Sequence, residues 1–345
     1  MRIFLDIGHP AHVHYFRNFI KIMESRGHQF LITARDRAPV PALLEHYDIP
    51  FINRGKGSRS KAGKIFYFLI TIFKQIRRAM KFRPDLFLDF STMYSGPAAF
   101  VLGKPYITFT DTEYTMAYRR LIRPFSQAVY TPECFTRDLG KQHHRFNGLM
   151  ELAALHPRYF EPSTEVLDML GLRDGERFAV VRFIGRGAWH DHGRNKFSEE
   201  QKIKLVGTLQ QHGKVFISAE GSLPPELEPM RLNIPPHQMH HLLFYATLLA
   251  GESVTMTSEA AVLGTPSVYI SRLRPGYLTY LEKQYGLVMN YGTSESDIAM
   301  AVKTAGVLMG RPGGKSNASR QSEKILEDHI DVTQFMIETI ENWHA

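Results

Sequence analysis

Residues 248–270 read LLAGESVTMTSEAAVLGTPSVYI, and their order predicts a short strand, a turn, a helix and a second strand. The hydroxyl of Ser253 or Thr255 suits the start of the helix, because it can accept a hydrogen bond from one of the free backbone N–H groups there. Gly264 stands where a left-handed residue ends a helix. The β-branched run 267–270 then predicts the second strand. The stretch is therefore read as a β-α-β unit.

The start of this helix is suited to binding an anion. Its free N–H groups and the positive end of its dipole suit a phosphate. Thr255 and Glu259 are four residues apart, so they share one helix face and lie about 6 Å apart along its axis. A phosphate at Thr255 would leave a ribose beside Glu259, whose carboxylate accepts hydroxyl hydrogens. The alternative is an ordinary β-α-β unit in which hydroxyls only cap the helix and Glu259 faces solvent.

The segment GESVTMTSEAAVLGTP resembles the nucleotide-binding segment of the GT-B glycosyltransferases, especially the MurG-type N-acetylglucosaminyltransferases. UDP-N-acetylglucosamine 2-epimerases are similar here too. The resemblance implies an α/β protein with the GT-B fold, in which two Rossmann-like, doubly wound domains enclose a cleft. It also implies a set of residues that bind the diphosphate and ribose of a nucleotide-sugar, namely Ser253, Thr255, Met256, Thr257 and Glu259.

Length and composition set outer bounds. A chain of 345 residues with 43% hydrophobic and 22% charged residues fits two globular domains. Cys134 is the only cysteine, so an intrachain disulfide is excluded and a reducing, cytoplasmic location is expected. No apolar run approaches the roughly 20 residues of a membrane span. The net charge of +8 favours an anionic partner.

Strand and helix patterns alternate along the chain, which predicts doubly wound parallel sheets. We expect a first, acceptor-side domain over 1–150 and a nucleotide-sugar-binding domain over 160–320. Residues 147–160 are expected to form the linker between them. Residues 325–343 predict one amphipathic helix, and by resemblance the segment 321–345 is expected to pack back on the first domain.

Ligands of such sheets bind at the carboxyl ends of the strands. His12 lies in a loop there that resembles the first glycine-rich loop of MurG-type enzymes, although Pro10 and Ala11 replace glycines. Asp111 falls, by resemblance, on a carboxylate that the transferases and epimerases share. Histidine and aspartate can both take a proton from an acceptor hydroxyl. His12 and Asp111 are therefore both candidates for a general base, and the choice between them stays open.

Residues after the first strand of the second domain are candidates for neutralising the diphosphate, namely Arg182, Arg186 and His190. By resemblance, Arg274 lies in a loop that contacts the donor sugar. The run His190-Asp191-His192 also suggests a metal, but three adjacent side chains cannot all face one ion in a regular strand. No metal or cofactor is therefore expected. The segments RFIGRGAWHDHG and TMTSEAAVLGTP together resemble an uncharacterised prokaryotic family grouped with the GT-B proteins.

Thr92 bears on the choice between the enzyme classes. The epimerases carry a catalytic aspartate just after the corresponding strand, whereas Thr92 stands there in this chain and Asp89 comes too early. The sequence therefore favours an inverting, metal-independent glycosyltransferase that moves a sugar from a UDP-sugar to a cell-envelope or polysaccharide acceptor. An epimerase-like enzyme and a non-catalytic nucleotide-sugar-binding protein are the alternatives.

Residues 56–83 contain nine lysines and arginines and no acidic residue, and the apolar run 65–73 lies in their middle. Such a segment can contact an anionic membrane peripherally, here on the inner face of the cytoplasmic membrane. The alternative is a crossover helix that is buried on one face and has a solvated basic end. No helix-turn-helix, zinc-finger or RNP pattern accompanies the basic residues, so no nucleic-acid partner is expected.

Overall fold

The computed structural model describes residues 1–58, 60–114, 122–185 and 197–343. The chain divides into two compact units, of which unit 1 is Met1–Tyr159 with His329–Ala345 and unit 2 is Phe160–Asp328. Each unit contains one parallel β-sheet with helices between its strands. The predicted α/β class is confirmed.

The sheet of unit 1 has seven strands in the order β3-β2-β1-β4-β5-β6-β7, and every neighbouring pair is parallel. The strands are β1 (Arg2–Ile7), β2 (Gln29–Ala34), β3 (Ile52–Asn53), β4 (Leu86–Phe90), β5 (Tyr106–Phe109), β6 (Ala128–Pro132) and β7 (His143–Phe146). The helices are α1 (Pro10–Ser25), α2 (Val40–His46), α3 (Lys61–Phe82), α4 (Ser95–Val101) and α5 (Leu152–Leu155). Because all strands run in one direction, their carboxyl ends lie at one edge of the sheet.

A row of polar side chains crosses the buried interior of this sheet. Asp6 is opposite Thr33 on one side and Asp89 on the other, and Asp89 is opposite Thr108. The Asp6 carboxylate accepts hydrogen bonds from Thr33 Oγ1 at 2.6 Å and from Arg54 Nε at 3.0 Å. Hydroxyl groups donate to Asp89, including that of Thr108 at 2.7 Å. These bonds offset the cost of burying two carboxyl groups.

The sheet of unit 2 has five parallel strands in the order β12-β11-β10-β8-β9. The strands are β8 (Phe178–Phe183), β9 (Lys214–Ala219), β10 (Leu248–Gly251), β11 (Ser267–Ile270) and β12 (Val288–Tyr291). The helices are α6 (Glu165–Met169), α7 (Glu199–Gln210), α8 (Met239–Tyr245), α9 (Val254–Val262), α10 (Gly276–Tyr280), α11 (Glu295–Gly310) and α12 (Gly314–Asp328). Leucine, valine and isoleucine side chains from β8 to β11, α7 and α11 form its hydrophobic core.

The β-α-β unit predicted for residues 248–270 is confirmed as β10, α9 and β11. Ser253 caps α9, since its Oγ accepts a hydrogen bond from the Met256 N–H at 3.3 Å. Gly264 has the left-handed φ of +72° that ends the helix. Gly251 is required for a different reason, because an added Cβ would lie 2.1 Å from the carbonyl oxygen of Arg182.

The C-terminal segment differs from the prediction of one helix. Two helices are present, α12 in unit 2 and α13 (Val332–Glu341) in unit 1. Asp331 starts the second helix, since its Oδ1 accepts a hydrogen bond from the Gln334 N–H at 3.0 Å. Helix α13 packs on α1 and α5, and Thr333 Oγ1 donates to the Ala153 carbonyl at 2.8 Å.

The segment 147–160 is also more structured than the predicted linker. Its apolar residues form α5, which is buried against α1. Asn18 Nδ2 donates to the Ala153 carbonyl at 2.8 Å and so ties the two helices together. Leu152 and Leu155 are buried as well, which makes this segment part of the core of unit 1.

The buried carboxyl group of Asp89 predicts a pH dependence of stability. Burial raises its pKa to about 7, although hydrogen bonds from Thr92 and Thr108 act in the opposite direction. The folded state therefore binds this proton more tightly than the unfolded state, and the free energy of unfolding falls as the pH rises from about 4 to about 7, by roughly 1.4 kcal/mol per unit of pKa difference.

Asp89→Asn should flatten this part of the stability profile, measured by chemical denaturation at several pH values. The exposed Asp168 offers a matched control, and Asp168→Asn should leave the wild-type profile unchanged. A profile that is equally steep in wild type and Asp89→Asn would show that Asp89 does not carry the pH dependence.

Candidate functional site

The first turn of α9 lies at the carboxyl edge of the unit 2 sheet and offers free donors. The Met256 and Thr257 amides bond to Ser253, whereas the amides of Val254 and Thr255 have no acceptor in the described part of the chain. The Thr255 hydroxyl is half-buried and likewise has no partner among those residues. Two free N–H groups, a hydroxyl and the positive end of a helix dipole suit an anion such as a phosphate.

One turn further along α9, Glu259 is held in a fixed position. Its Oε1 lies 3.2 Å from His240 Nε2 on α8, and only 7% of its side chain is exposed. The alternative in which Glu259 faces solvent is therefore wrong. Its second oxygen, Oε2, has no partner within the described ranges, so it can accept a hydrogen bond from a ligand. His240 was not singled out from the sequence, since it lies on a different helix and nothing near it in the chain indicates the contact.

The other residues predicted for the nucleotide-sugar site have different surroundings. Thr257 Oγ1 donates to the Ser253 carbonyl at 2.7 Å, and Met256 is buried. Arg182 donates to Ser218 at 2.8 Å and pairs with Glu220 at 2.5 Å, so much of its charge is already balanced. Arg274 is exposed and donates to a backbone carbonyl on β12. Arg186 and His190 lie outside the described residues.

In unit 1, His12 lies at the start of α1, just after β1. Its Nδ1 accepts a hydrogen bond from the Gly8 N–H at 3.3 Å. Burial, followed by the positive charges of His9, Arg54 and Arg37, holds the pKa of His12 well below its ordinary value. The ring is therefore neutral at pH 7, and the bond to Nδ1 assigns its proton to Nε2.

Asp111 follows β5 at the same edge of the sheet and is nearly buried. Burial raises its pKa to about 6, with a hydrogen bond from Thr112 opposing the shift and the charge of Glu113 adding to it. At pH 7 the group is mostly ionised, and its basicity is higher than that of an ordinary aspartate, which suits proton abstraction.

Two further carboxylates, Glu113 and Glu151, lie with Asp111 close enough to Cys134 to act on its thiol. Both are buried, and Glu113 accepts hydrogen bonds from the backbone N–H and the hydroxyl of Thr136. Burial, then the charges of Glu151, Glu113 and Asp111, raises the pKa of Cys134 far above its usual range. The thiol is therefore protonated at neutral pH and is unsuited to act as a nucleophile.

Thr92 sits directly above a buried carboxyl group. Its hydroxyl donates to Asp89 Oδ2 at 2.6 Å, but Asp89 itself is fully buried and also accepts a hydrogen bond from Tyr106 at 2.9 Å. At the carboxyl edge of the unit 1 sheet, the second residue after β4 is therefore a threonine. The carboxyl group of Asp89 lies beneath it, in the interior of the sheet.

Helix α3, which contains most of the basic segment, has an unusual distribution of side chains. Its buried face includes the polar residues Thr71 and Gln75. Its exposed face carries large apolar residues, namely Ile65, Phe66, Leu69, Phe73 and Met80, and Phe100 and Val101 on α4 are exposed too. No helix among the described residues is both long enough and apolar enough to cross a membrane. Those residues also contain no cluster of three or more His, Cys, Asp or Glu side chains suited to a metal ion.

Several solved structures share this architecture over nearly their whole length. The S. aureus MnaA–UDP structure has a TM-score of 0.69 and 14% identity, covering 99% of this chain and 96% of that one. The UDP-GlcNAc 2-epimerase of Neisseria meningitidis bound to UDP-GlcNAc has a TM-score of 0.69 and 13% identity, covering 99% and 100%. The spinosyn rhamnosyltransferase SpnG complexed with thymidine diphosphate has a TM-score of 0.62 and 15% identity, covering 99% and 100%. The fold is therefore that of the GT-B glycosyltransferases and epimerases, as the sequence predicted.

Sequence comparisons give a narrower grouping. Uncharacterized protein MJ0665 of Methanocaldococcus jannaschii is 23% identical over 282 residues, which cover 77% of this chain and 80% of that protein. A family model described as "Protein of unknown function (DUF354)" matches residues 1–342. Because the match spans nearly the whole chain, the protein belongs to this family.

Proposed function

We propose that the protein is an inverting, metal-independent glycosyltransferase that transfers a sugar from a UDP-sugar to a cell-envelope or polysaccharide acceptor. The main support is the first turn of α9, where free amides of Val254 and Thr255 precede a fixed carboxylate at Glu259. A diphosphate would bind at the amides, and Glu259 Oε2 would accept hydrogen bonds from the ribose. The GT-B architecture and the nucleotides named for its structural neighbours agree with such a donor.

Asp111 is the base in this proposal. Its carboxylate would take the proton from the acceptor hydroxyl while that oxygen forms a bond to the anomeric carbon of the donor. The bond from that carbon to the diphosphate would break in the same step, and UDP would leave with the electron pair. His12 is less suited to accept the proton, because Nδ1 already accepts a hydrogen bond from Gly8 and Nε2 carries hydrogen.

A related proposal concerns the exposed face of α3. We propose that it contacts an anionic membrane, with Phe66, Leu69 and Phe73 entering the interface and neighbouring lysines and arginines facing lipid phosphates. The apolar side chains are on the outer face although the helix is packed on unit 1, and Lys64, Lys74 and Arg77 on that helix are exposed as well. Peripheral binding to the inner face of the cytoplasmic membrane would bring the protein to envelope acceptors.

A second candidate is a UDP-N-acetylglucosamine 2-epimerase-like activity. It is favoured by the three buried carboxylates Asp111, Glu113 and Glu151 at the unit 1 edge, because epimerisation needs acid–base groups on the donor sugar itself. Incubation with UDP-N-acetylglucosamine alone separates the two, since an epimerase forms a new sugar isomer without acceptor and a transferase does not.

Glu259→Gln should weaken UDP binding by roughly tenfold or more, because it replaces a charged hydrogen-bond acceptor at the ribose with a neutral amide. Titration calorimetry with UDP measures the effect, and the exposed Glu226 provides the control variant Glu226→Gln.

The same titration with 2′,3′-dideoxy-UDP tests the ribose contact itself. If Glu259 binds the ribose hydroxyls, this ligand should bind wild type and Glu259→Gln with the same, weaker affinity. If Glu259→Gln lowers the affinity for UDP and for the dideoxy nucleotide by the same factor, Glu259 does not bind the ribose hydroxyls.

Replacing Phe66, Leu69 and Phe73 together by serine should lower binding to phosphatidylglycerol-containing vesicles by roughly tenfold, measured by co-sedimentation. The side chains are exposed, so the melting temperature should not fall. The double variant Met300→Ser/Val307→Ser removes exposed apolar residues from α11 of unit 2 and should bind like wild type. Equal vesicle binding by all three proteins would rule out a role for the α3 face.

A further inference from the structure

Three side chains from different segments converge on Gly8, at the end of β1. A Cβ added there would lie 3.5 Å from Thr92 Cγ2, 3.7 Å from Arg54 Nη2 and 3.7 Å from His12 Cε1. The missing side chain of Gly8 therefore leaves a small space bounded by a methyl group, a guanidinium and an imidazole.

Arg54 is held rigidly beside this space. Its side chain is only 2% exposed, its Nε donates to Asp6 at 3.0 Å, and its Nη1 donates to the Tyr67 hydroxyl at 3.1 Å. The guanidinium carbon also lies 4.4 Å from the centre of the Tyr94 ring. Nη2, the nitrogen that faces Gly8, has no hydrogen-bond acceptor among the residues that the structure describes. A preorganised donor is therefore directed into the space.

His12 supplies a second donor. Because its Nδ1 accepts from the Gly8 N–H, the neutral ring carries hydrogen on Nε2. Nε2 has no partner within the described ranges. The ring is kept neutral by burial and by neighbouring positive charge, so it remains a donor at Nε2 across the neutral pH range.

The surroundings favour negative charge. Two carboxyl groups lie next to these residues. Asp6 pairs with Arg54 and faces the partly buried Arg78 of α3, whereas Asp89 accepts a hydrogen bond from Thr92 and has its pKa raised to about 7 by burial. The charged groups that act on His12 are His9, Arg54 and Arg37, all of them cationic or basic. The positive end of the α1 dipole adds to this field.

The backbone amides at the start of α1 are already used. The Ala11 N–H donates to His9 Nδ1 at 3.2 Å, the His12 N–H donates to the His9 carbonyl at 3.0 Å, and Pro10 has no N–H. An anion at Gly8 would therefore be bound by side chains, in contrast to the backbone cradle of glycine-rich phosphate loops.

We propose that Gly8, His12 and Arg54 form an oxyanion site that binds a phosphate group of the sugar acceptor. This inference rests on the glycosyl transfer proposed above and specifies the chemistry of its acceptor. Strands β1 and β5 are separated only by β4, so the loops that follow them are about 10 Å apart. An acceptor phosphate at Gly8 would thus lie about 10 Å from the hydroxyl that Asp111 deprotonates.

Gly8→Ala tests the site with little risk to the fold. The added methyl group makes ordinary contacts of 3.5 to 3.7 Å, yet it fills the space beside Arg54 Nη2 and the His12 ring. We expect the Kd for inorganic phosphate, measured by titration calorimetry, to rise at least tenfold relative to wild type. Gly207→Ala on α7 is the control, because an added Cβ there meets no atom within 4 Å, and it should bind phosphate as wild type does.

Two further probes, glucose 1-phosphate and decyl phosphate, distinguish a soluble sugar phosphate from a lipid headgroup. Tighter binding of glucose 1-phosphate would identify a soluble sugar phosphate, and tighter binding of decyl phosphate would identify a lipid headgroup. Gly8→Ala should bind both probes more weakly than wild type does. Equal phosphate binding by wild type and Gly8→Ala, or no binding by wild type, would overturn the site.

Titration with UDP tests the proposed nucleotide site independently of the phosphate site. Gly8→Ala should bind UDP as wild type does, because the proposed nucleotide residues belong to unit 2. Phosphate binding that is lost in Gly8→Ala, together with no UDP binding by either protein, would support the oxyanion site and overturn the glycosyl-transfer proposal.

Discussion

Parallel pairing of every strand is the constraint on which both units depend. It brings the carboxyl ends of the strands in each unit to one edge, together with the start of the helix that follows each strand. Backbone groups at that edge have left the sheet and have not yet entered a helix, so they must bond to side chains, water or ligands. At α9 this leaves two free amides, those of Val254 and Thr255. At α1 the amide of Ala11, which corresponds to that of Thr255, already donates to the side chain of His9.

This difference assigns different chemistry to the two edges. In unit 2 an anion can be bound by backbone groups, with Glu259 fixed by His240 one helical turn away. In unit 1 an anion would contact side chains whose positions are fixed by hydrogen bonds. Arg54 donates to Asp6, and His12 accepts from the Gly8 N–H. The buried polar row of the sheet therefore has a positioning role as well as a structural one.

Local signals in the sequence explain what could be predicted. Ser253, Gly264 and the alternation of residue types around them specify β10, α9 and β11 without help from distant residues. The pairs His240–Glu259 and Asp6–Arg54 join segments that are far apart in the chain, and no alternation or cap reveals them.

The missed features of helices have similar causes. The start of α13 depends on a cap at Asp331 within a segment that reads as one amphipathic helix. Helix α3 was open to two interpretations because its buried face contains Thr71 and Gln75 and its exposed face contains Phe66 and Phe73. Hydrophobic periodicity shows that such a helix has two faces. The choice between them depends on contacts with the buried polar row of the sheet, such as that of Gln75 with Thr33.

The central claim is that unit 2 binds the nucleotide of a UDP-sugar at the start of α9. Thermal unfolding in the presence of UDP, UDP-sugars, GDP-sugars and dTDP-sugars, with and without Mg²⁺, tests it most directly. A ligand at 100 times its Kd stabilises the folded state by about 2.7 kcal/mol, which is readily seen as a rise in Tm. The account predicts a rise with UDP and UDP-sugars that does not depend on Mg²⁺. No change in Tm with any nucleotide would contradict it and leave α9 as a well-capped helix without a ligand.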